Sequence, residues 1–98
     1  MVTKARKKFV VVAYDISSAR RRNKVVKILQ QYGRRINFSV FECMFSDGQL
    51  SAVREEIGSI INLSKDQVVY YQLCLGCYAR AVYQPERRVQ TGDSIEVI

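Results

Sequence analysis

Histidine is missing from the chain altogether, and the omission removes a set of mechanisms at once. Serine–histidine and cysteine–histidine nucleophilic machinery needs an imidazole to take the proton. Any hydrolysis by this chain must therefore rely on water activated by a metal. Long apolar runs are missing too: no stretch approaches the ~20 residues that span a bilayer. Phe9–Ala13 follows a basic N-terminus but is too short for a signal-peptide core, and charged Asp15 follows it. Cysteine occurs three times, an odd number that agrees with a reducing compartment. Together these features predict a cytoplasmic protein with no membrane partner. There is no internal repeat and no low-complexity segment, and the single proline is Pro85. The last scarcity is of negative charge, because Asp15 is the only carboxylate in the first 41 residues.

Against that one acid the first 35 residues hold eleven Lys or Arg, a local balance of +10, whereas residues 36–98 sum to −3. The net +7 is therefore a patch rather than an even coat, and its natural partner is a polyanion. With 98 residues the chain suits one domain with one core, small enough to gain from dimerisation. Hydrophobic content of 48% with 26% charged residues excludes wholesale disorder.

Periodicity gives the order of elements. Phe9–Tyr14 is β-branched and aromatic on both faces, the pattern of a buried central strand. Ser17 or Ser18 can cap a helix carrying Val25, Ile28, Leu29 and Tyr32, with Gly33 placed as a C-cap. Arg35 to Phe45 reads as extended, with Ile36, Phe38 and Val40 on one face and Asn37, Ser39 and Phe41 on the other. Ser46-Asp47-Gly48 breaks that run. Leu50, Val53, Ile57, Ile60 and Ile61 mark a second amphipathic helix. Gln67–Leu75 is a further strand, and Ile95–Ile98 a short last one within a C-terminal segment 93–98. Residues 1–8 form a basic arm, and Gly76–Gly92 has no clear assignment. The sum is an α+β, ferredoxin-like β-α-β-β-α-β sandwich over residues 1–98 with an extra C-terminal strand. It requires two strands from one run of about eleven residues without a Gly or Pro turn, which a kink or bulge could supply.

Asp15 is the first candidate for chemistry, since a carboxylate at a strand end can hold a hard cation. One carboxylate holds Mg²⁺ poorly, but a two-fold dimer would bring two copies together. The plainer alternative is a turn or capping aspartate. Arg20, Arg21, Arg22 and Lys24 crowd the start of a helix, the wrong end for its dipole, so a bound phosphate is a sensible reason for them. A merely solvated basic face is the alternative. Arg34 and Arg35 flank the next strand. Cys74-Leu-Gly-Cys77 is a C-x-x-C pair; zinc needs four ligands, which only a dimer could complete. A thioredoxin-like redox role would want the pair opening a helix after a strand, and reduced cysteines at a strand end are the plain reading.

Ala13-Tyr14-Asp15-Ile16, Arg22-x-Lys24-Val25, Leu29-x-x-Tyr32-Gly33 and Arg35-Ile36-Asn37-Phe38-Ser39-Val40-Phe41-Glu42 together resemble the second CRISPR-associated protein family (Cas-two), a small partner in the capture of foreign DNA as new spacers. The match runs from about Phe9 to Leu75. The resemblance implies a ferredoxin-like homodimer whose two Asp15 carboxylates face each other and bind Mg²⁺ or another divalent cation. Some members are described as metal-dependent endonucleases on RNA or double-stranded DNA, and members also bridge two dimers of the CRISPR integrase (Cas-one) without cutting. Carried over by position, Tyr14, Asp15, Ser39 and Phe41 fall at the catalytic centre, with Arg22, Lys24 and Arg35 near it. The C-terminal strand would be exchanged across the dimer. Asn37 stands where the family commonly has Gln, and Lys24 where many members have Arg, which loses the bidentate fork. Three functions compete: an adaptation endonuclease, a DNA-binding adaptor that never cuts, and a toxin-type ribonuclease on the same fold. A plain RNA-recognition domain fits least, because its Lys/Arg-Gly-aromatic strand signature is missing.

Overall fold

The computed structural model describes residues 6–84. Two expectations therefore lie outside the described residues: the C-terminal strand 93–98 and most of the arm 1–8. Lys8 is not in an arm; it opens strand β1 (Lys8–Asp15) and meets Asp47 at 2.9 Å. Helix α1 (Ala19–Leu29), strands β2 (Gly33–Asn37) and β3 (Val40–Phe45), helix α2 (Asp47–Ile60), strand β4 (Gln67–Leu73) and a short helix α3 (Leu75–Ala79) follow. The sheet order is β2-β3-β1-β4 with every neighbour antiparallel. This is the ferredoxin-like arrangement, with β1 in the interior as its apolar pattern requires. No helix among the described residues is long and apolar enough to cross a membrane.

The two long helices, α1 and α2, start where a serine can cap them. Ser18 Oγ accepts from the backbone N–H of Arg21 at 3.3 Å, satisfying one of the orphan donors at the start of α1. At α2, Ser46 Oγ accepts from Gln49 N while Gln49 Oε1 accepts from Ser46 N, a reciprocal capping box. The inner faces of α1 (Val25, Val26, Ile28, Leu29) and α2 (Leu50, Val53, Ile57) are buried with Val10, Val12, Tyr14, Phe41, Cys43 and Phe45 of the sheet, and these form the core. The strand alternation sends Phe9, Val11, Ala13 and Asp15 to the other face.

The segment between the helices differs most from its linear pattern. The run from Arg35 to Phe45 is two strands, joined by a turn at Phe38 and Ser39, so the expected sharing of one face by Asn37, Ser39 and Phe41 fails. The turn forms without Gly or Pro because Asn37 Oδ1 accepts from Ser39 N at 3.1 Å, an Asx turn two residues long. A register shift between Arg35 and Asn37 marks the irregularity that the expected kink or bulge called for. Gly33 is not the C-cap of α1, which is Gln30. Instead Gly33 opens β2, and a Cβ on it would stand 1.9 Å from the Glu42 carbonyl oxygen. Only glycine permits that approach.

Candidate metal and nucleic-acid site

Asp15 ends β1, exposed, on the sheet face away from α1 and α2. Among the described residues no hydrogen bond or ion pair engages its carboxylate. Tyr14, one residue earlier, points the opposite way into the core and fastens the β2–β3 turn to the end of β1. Its hydroxyl donates to the Phe38 carbonyl at 2.7 Å, and its backbone N–H donates to the Ser39 carbonyl at 3.0 Å. The two contacts hold Ser39 beside the strand end that carries Asp15. They also leave Phe38 standing out from the turn, 89% exposed. Sequence reasoning placed Phe38 on a strand face and missed it; the Asn-x-Ser spacing of an Asx turn was the available signal.

Phe41 takes a different role from the one the resemblance implies. It is fully buried, lies 6.3 Å from the Tyr14 ring, and has the Arg35 guanidinium 6.0 Å above its ring at the sheet edge. A side chain closed off in this way cannot touch a substrate. Phe41 packs the core under the turn and so supports Tyr14.

The basic residues separate by what they touch. Arg20 and Lys24 are exposed on α1, one turn apart and so on the same face. Arg22 donates through Nη1 to the Ile16 carbonyl at 2.8 Å, which anchors a guanidinium with further donors beside the β1–α1 loop. Arg21 grips Asp66 instead, Nε to Oδ2 at 2.8 Å and Nη2 to Oδ1 at 3.1 Å. Asp66 also accepts from the backbone N–H groups of Ser17 and Asn62 at 3.0 and 2.9 Å, and its side chain is closed to solvent. The hydrogen bond from Arg21, helped by those two N–H groups, holds the Asp66 carboxyl well below the usual carboxylate range. With its fork occupied, Arg21 fastens the β1–α1 loop to the loop before β4. Arg34 is half-buried opposite Glu42 in the β2–β3 register, and Glu42 is itself buried and accepts a hydrogen bond from Tyr83. Arg35 is exposed at the edge of the sheet.

No group of three or more His, Cys, Asp or Glu side chains converges anywhere among the described residues. At this end of the sheet the described residues offer a cation one unengaged carboxylate, Asp15, because Asp66 is taken up by Arg21. Mg²⁺ keeps several of its waters and is commonly bound through one or two carboxylates, so Asp15 fits such an ion when a second copy is supplied.

A sequence profile of the family described as CRISPR associated protein Cas2 matches residues 8–81, which spans every element from β1 to α3. The chain belongs to the Cas2 family. The "CRISPR-associated endoribonuclease Cas2 4" of Rhodospirillum rubrum is 41% identical over 70 residues, covering 71% of this chain and 56% of the relative. The chain thus spans little more than half of that relative's length. The crystal structure of Streptococcus pyogenes Cas2 at pH 6.5 superposes with a TM-score of 0.70 at 27% identity, over 74% of this chain and 94% of that one. A chain of a partial Cas6-RT-Cas1–Cas2 complex gives a TM-score of 0.69 over 86% of this chain and 98% of its own, at 22% identity, and shows the same fold. The profile covers the segment carrying Asp15 and the Tyr14-held turn.

Proposed function

We propose that the chain works as a homodimer in CRISPR adaptation and cleaves phosphodiesters, RNA foremost, with a divalent cation held between two copies of Asp15. The observation that carries this reading is the exposed, unengaged carboxylate at the end of a central strand, on the sheet face that α1 and α2 leave uncovered. That face also carries the cross-strand pairs Val11–Tyr71 and Ala13–Val69, with Tyr71 more than half exposed. An apolar face of this kind favours pairing with a second sheet, and the pairing would set two Asp15 residues near one axis. The bound cation would supply an activated water and charge stabilisation. The chain's own residues have simpler tasks. Arg20, Arg22 and Lys24 bind the phosphate backbone, Ser39 lines the strand end, and Tyr14 holds the turn in place. The endoribonuclease name of the Rhodospirillum rubrum relative supports RNA as the first substrate to test.

The test is incubation of labelled single-stranded RNA and duplex DNA with and without Mg²⁺, beside Asp15→Asn. The substitution keeps shape and hydrogen-bonding capacity but removes the charge a hard cation needs. Mg²⁺-dependent RNA cleavage should fall by at least about a hundredfold, with nucleic-acid affinity nearly unchanged. Cleavage retained by Asp15→Asn would overturn the metal assignment.

One observation favours a second reading, a DNA-binding adaptor docked on the CRISPR integrase. The fold matches a chain from a complex that contains Cas1 and Cas2, and an adaptor needs only the basic surface. Normal duplex binding with no cleavage by either protein would select it.

A further inference from the structure

The C-x-x-C pair has no part in the site above, and its placement is specific. Strand β4 ends at Leu73, Cys74 is the N-cap residue of α3, and Cys77 lies one turn into that helix. The two sulfurs are 3.3 Å apart and both residues are exposed. Cys74 Sγ also accepts from the backbone N–H of Cys77 at 3.3 Å, which fixes the rotamer that points it at its neighbour. The third thiol is different in kind: Cys43 is buried on the helix side of the sheet. No third His, Cys, Asp or Glu joins the pair among the described residues, and these residues complete no four-ligand zinc site.

We propose that Cys74 and Cys77 are a redox pair, a dithiol that closes reversibly to an intrachain disulfide by exchange with a small-molecule disulfide. The Cys74 thiolate attacks one sulfur of the disulfide RSSR, forming a mixed disulfide and expelling one RS⁻. The Cys77 thiol then gives its proton to solvent and attacks Cys74 Sγ, closing the ring and expelling the second RS⁻. The two cysteines lose two electrons and RSSR becomes two thiols. The division of labour follows from the local hydrogen bonds. The Cys77 N–H lowers the Cys74 thiol, whereas sharing a proton with Cys74 raises the Cys77 thiol. Burial pushes the Cys43 thiol up to about 12, so it stays protonated and inert while the surface pair reacts. Closure would staple the turn that carries Tyr78, whose ring packs on Phe9 of β1 at 4.5 Å.

The experiment treats the reduced, folded chain with one equivalent of the aromatic disulfide dithiobis(nitrobenzoate) and follows released thiol and intact mass. Wild type should release two thiols per reagent and end two hydrogens lighter with no aryl adduct, and dithiothreitol should restore its mass. Cys77→Ser should release one thiol and keep one aryl group on Cys74. Cys74→Ser should react about tenfold more slowly, having lost the more acidic thiol. Cys43→Ser should behave as wild type. A stable aryl adduct on wild type, or ring closure that survives Cys77→Ser, would overturn the proposal.

Discussion

At the scale of single residues, position along a strand separates chemistry from packing. Tyr14 and Asp15 are adjacent, yet the pleat sends one into the core and the other to the open face. Phe41 follows Tyr14 inward, and its substitutions should read as stability changes. Removing a fully buried phenylalanine costs about 3–5 kcal/mol, so Phe41→Ala should lower the denaturation midpoint sharply. Phe41→Leu keeps most of the volume and should cost under about 1.5 kcal/mol, and the cleavage proposed above should stay close to wild type per folded molecule. Urea melts beside cleavage assays on both variants check this. A loss of activity in folded Phe41→Leu as large as that of Asp15→Asn would return Phe41 to the reacting centre.

At the scale of elements, the loops between β1 and α1 and before β4 are fastened by one carboxylate, Asp66, which gathers Arg21, Ser17 and Asn62. A carboxyl held low in the fold but titrating near 3.9 in the unfolded chain takes up protons on unfolding as pH falls. Its stabilisation is full above about pH 5 and is lost progressively as pH falls below 3.9 toward the depressed folded value. Asp66→Asn should therefore melt at a lower temperature than wild type at pH 7, and the gap should narrow between pH 5 and pH 3. Melts showing a constant gap across that range would contradict the assignment. This fastening was illegible in the sequence, because Arg21 and Asp66 are 45 positions apart and Arg21 sits in a run of identical charges. The helices and the central strand were legible for the opposite reason: caps at Ser18 and Ser46 and the spacing of buried residues are local signals. The β2–β3 turn fell between the two cases. Its Asx geometry is local, but Tyr14, which locks it, comes from another strand.

The whole molecule carries its positive charge unevenly, and the ion pairs reduce what a polyanion can use. Lys8 is paired with Asp47 and Arg21 with Asp66, which leaves Arg6, Lys7, Arg20, Lys24, Lys27 and Arg35 as exposed cations among the described N-terminal residues. Two copies would double that number along one duplex or strand. If about six phosphates are neutralised, affinity should fall about a thousandfold between 50 and 200 mM salt, with little dependence on base sequence. The residues divide the effect in a testable way. Arg20→Ala with Lys24→Ala should flatten the slope of log affinity against log salt by about two per chain while leaving the melting temperature nearly unchanged. Arg21→Ala should lower the melting temperature and barely alter the slope, since its charge already answers Asp66. Fluorescence anisotropy on a labelled duplex at four salt concentrations, with a thermal melt of each variant, separates the two outcomes. A slope that responds to Arg21 as strongly as to Arg20 and Lys24 would show that the polyanion opens the Asp66 pair, and the basic surface would then extend across the loop before β4.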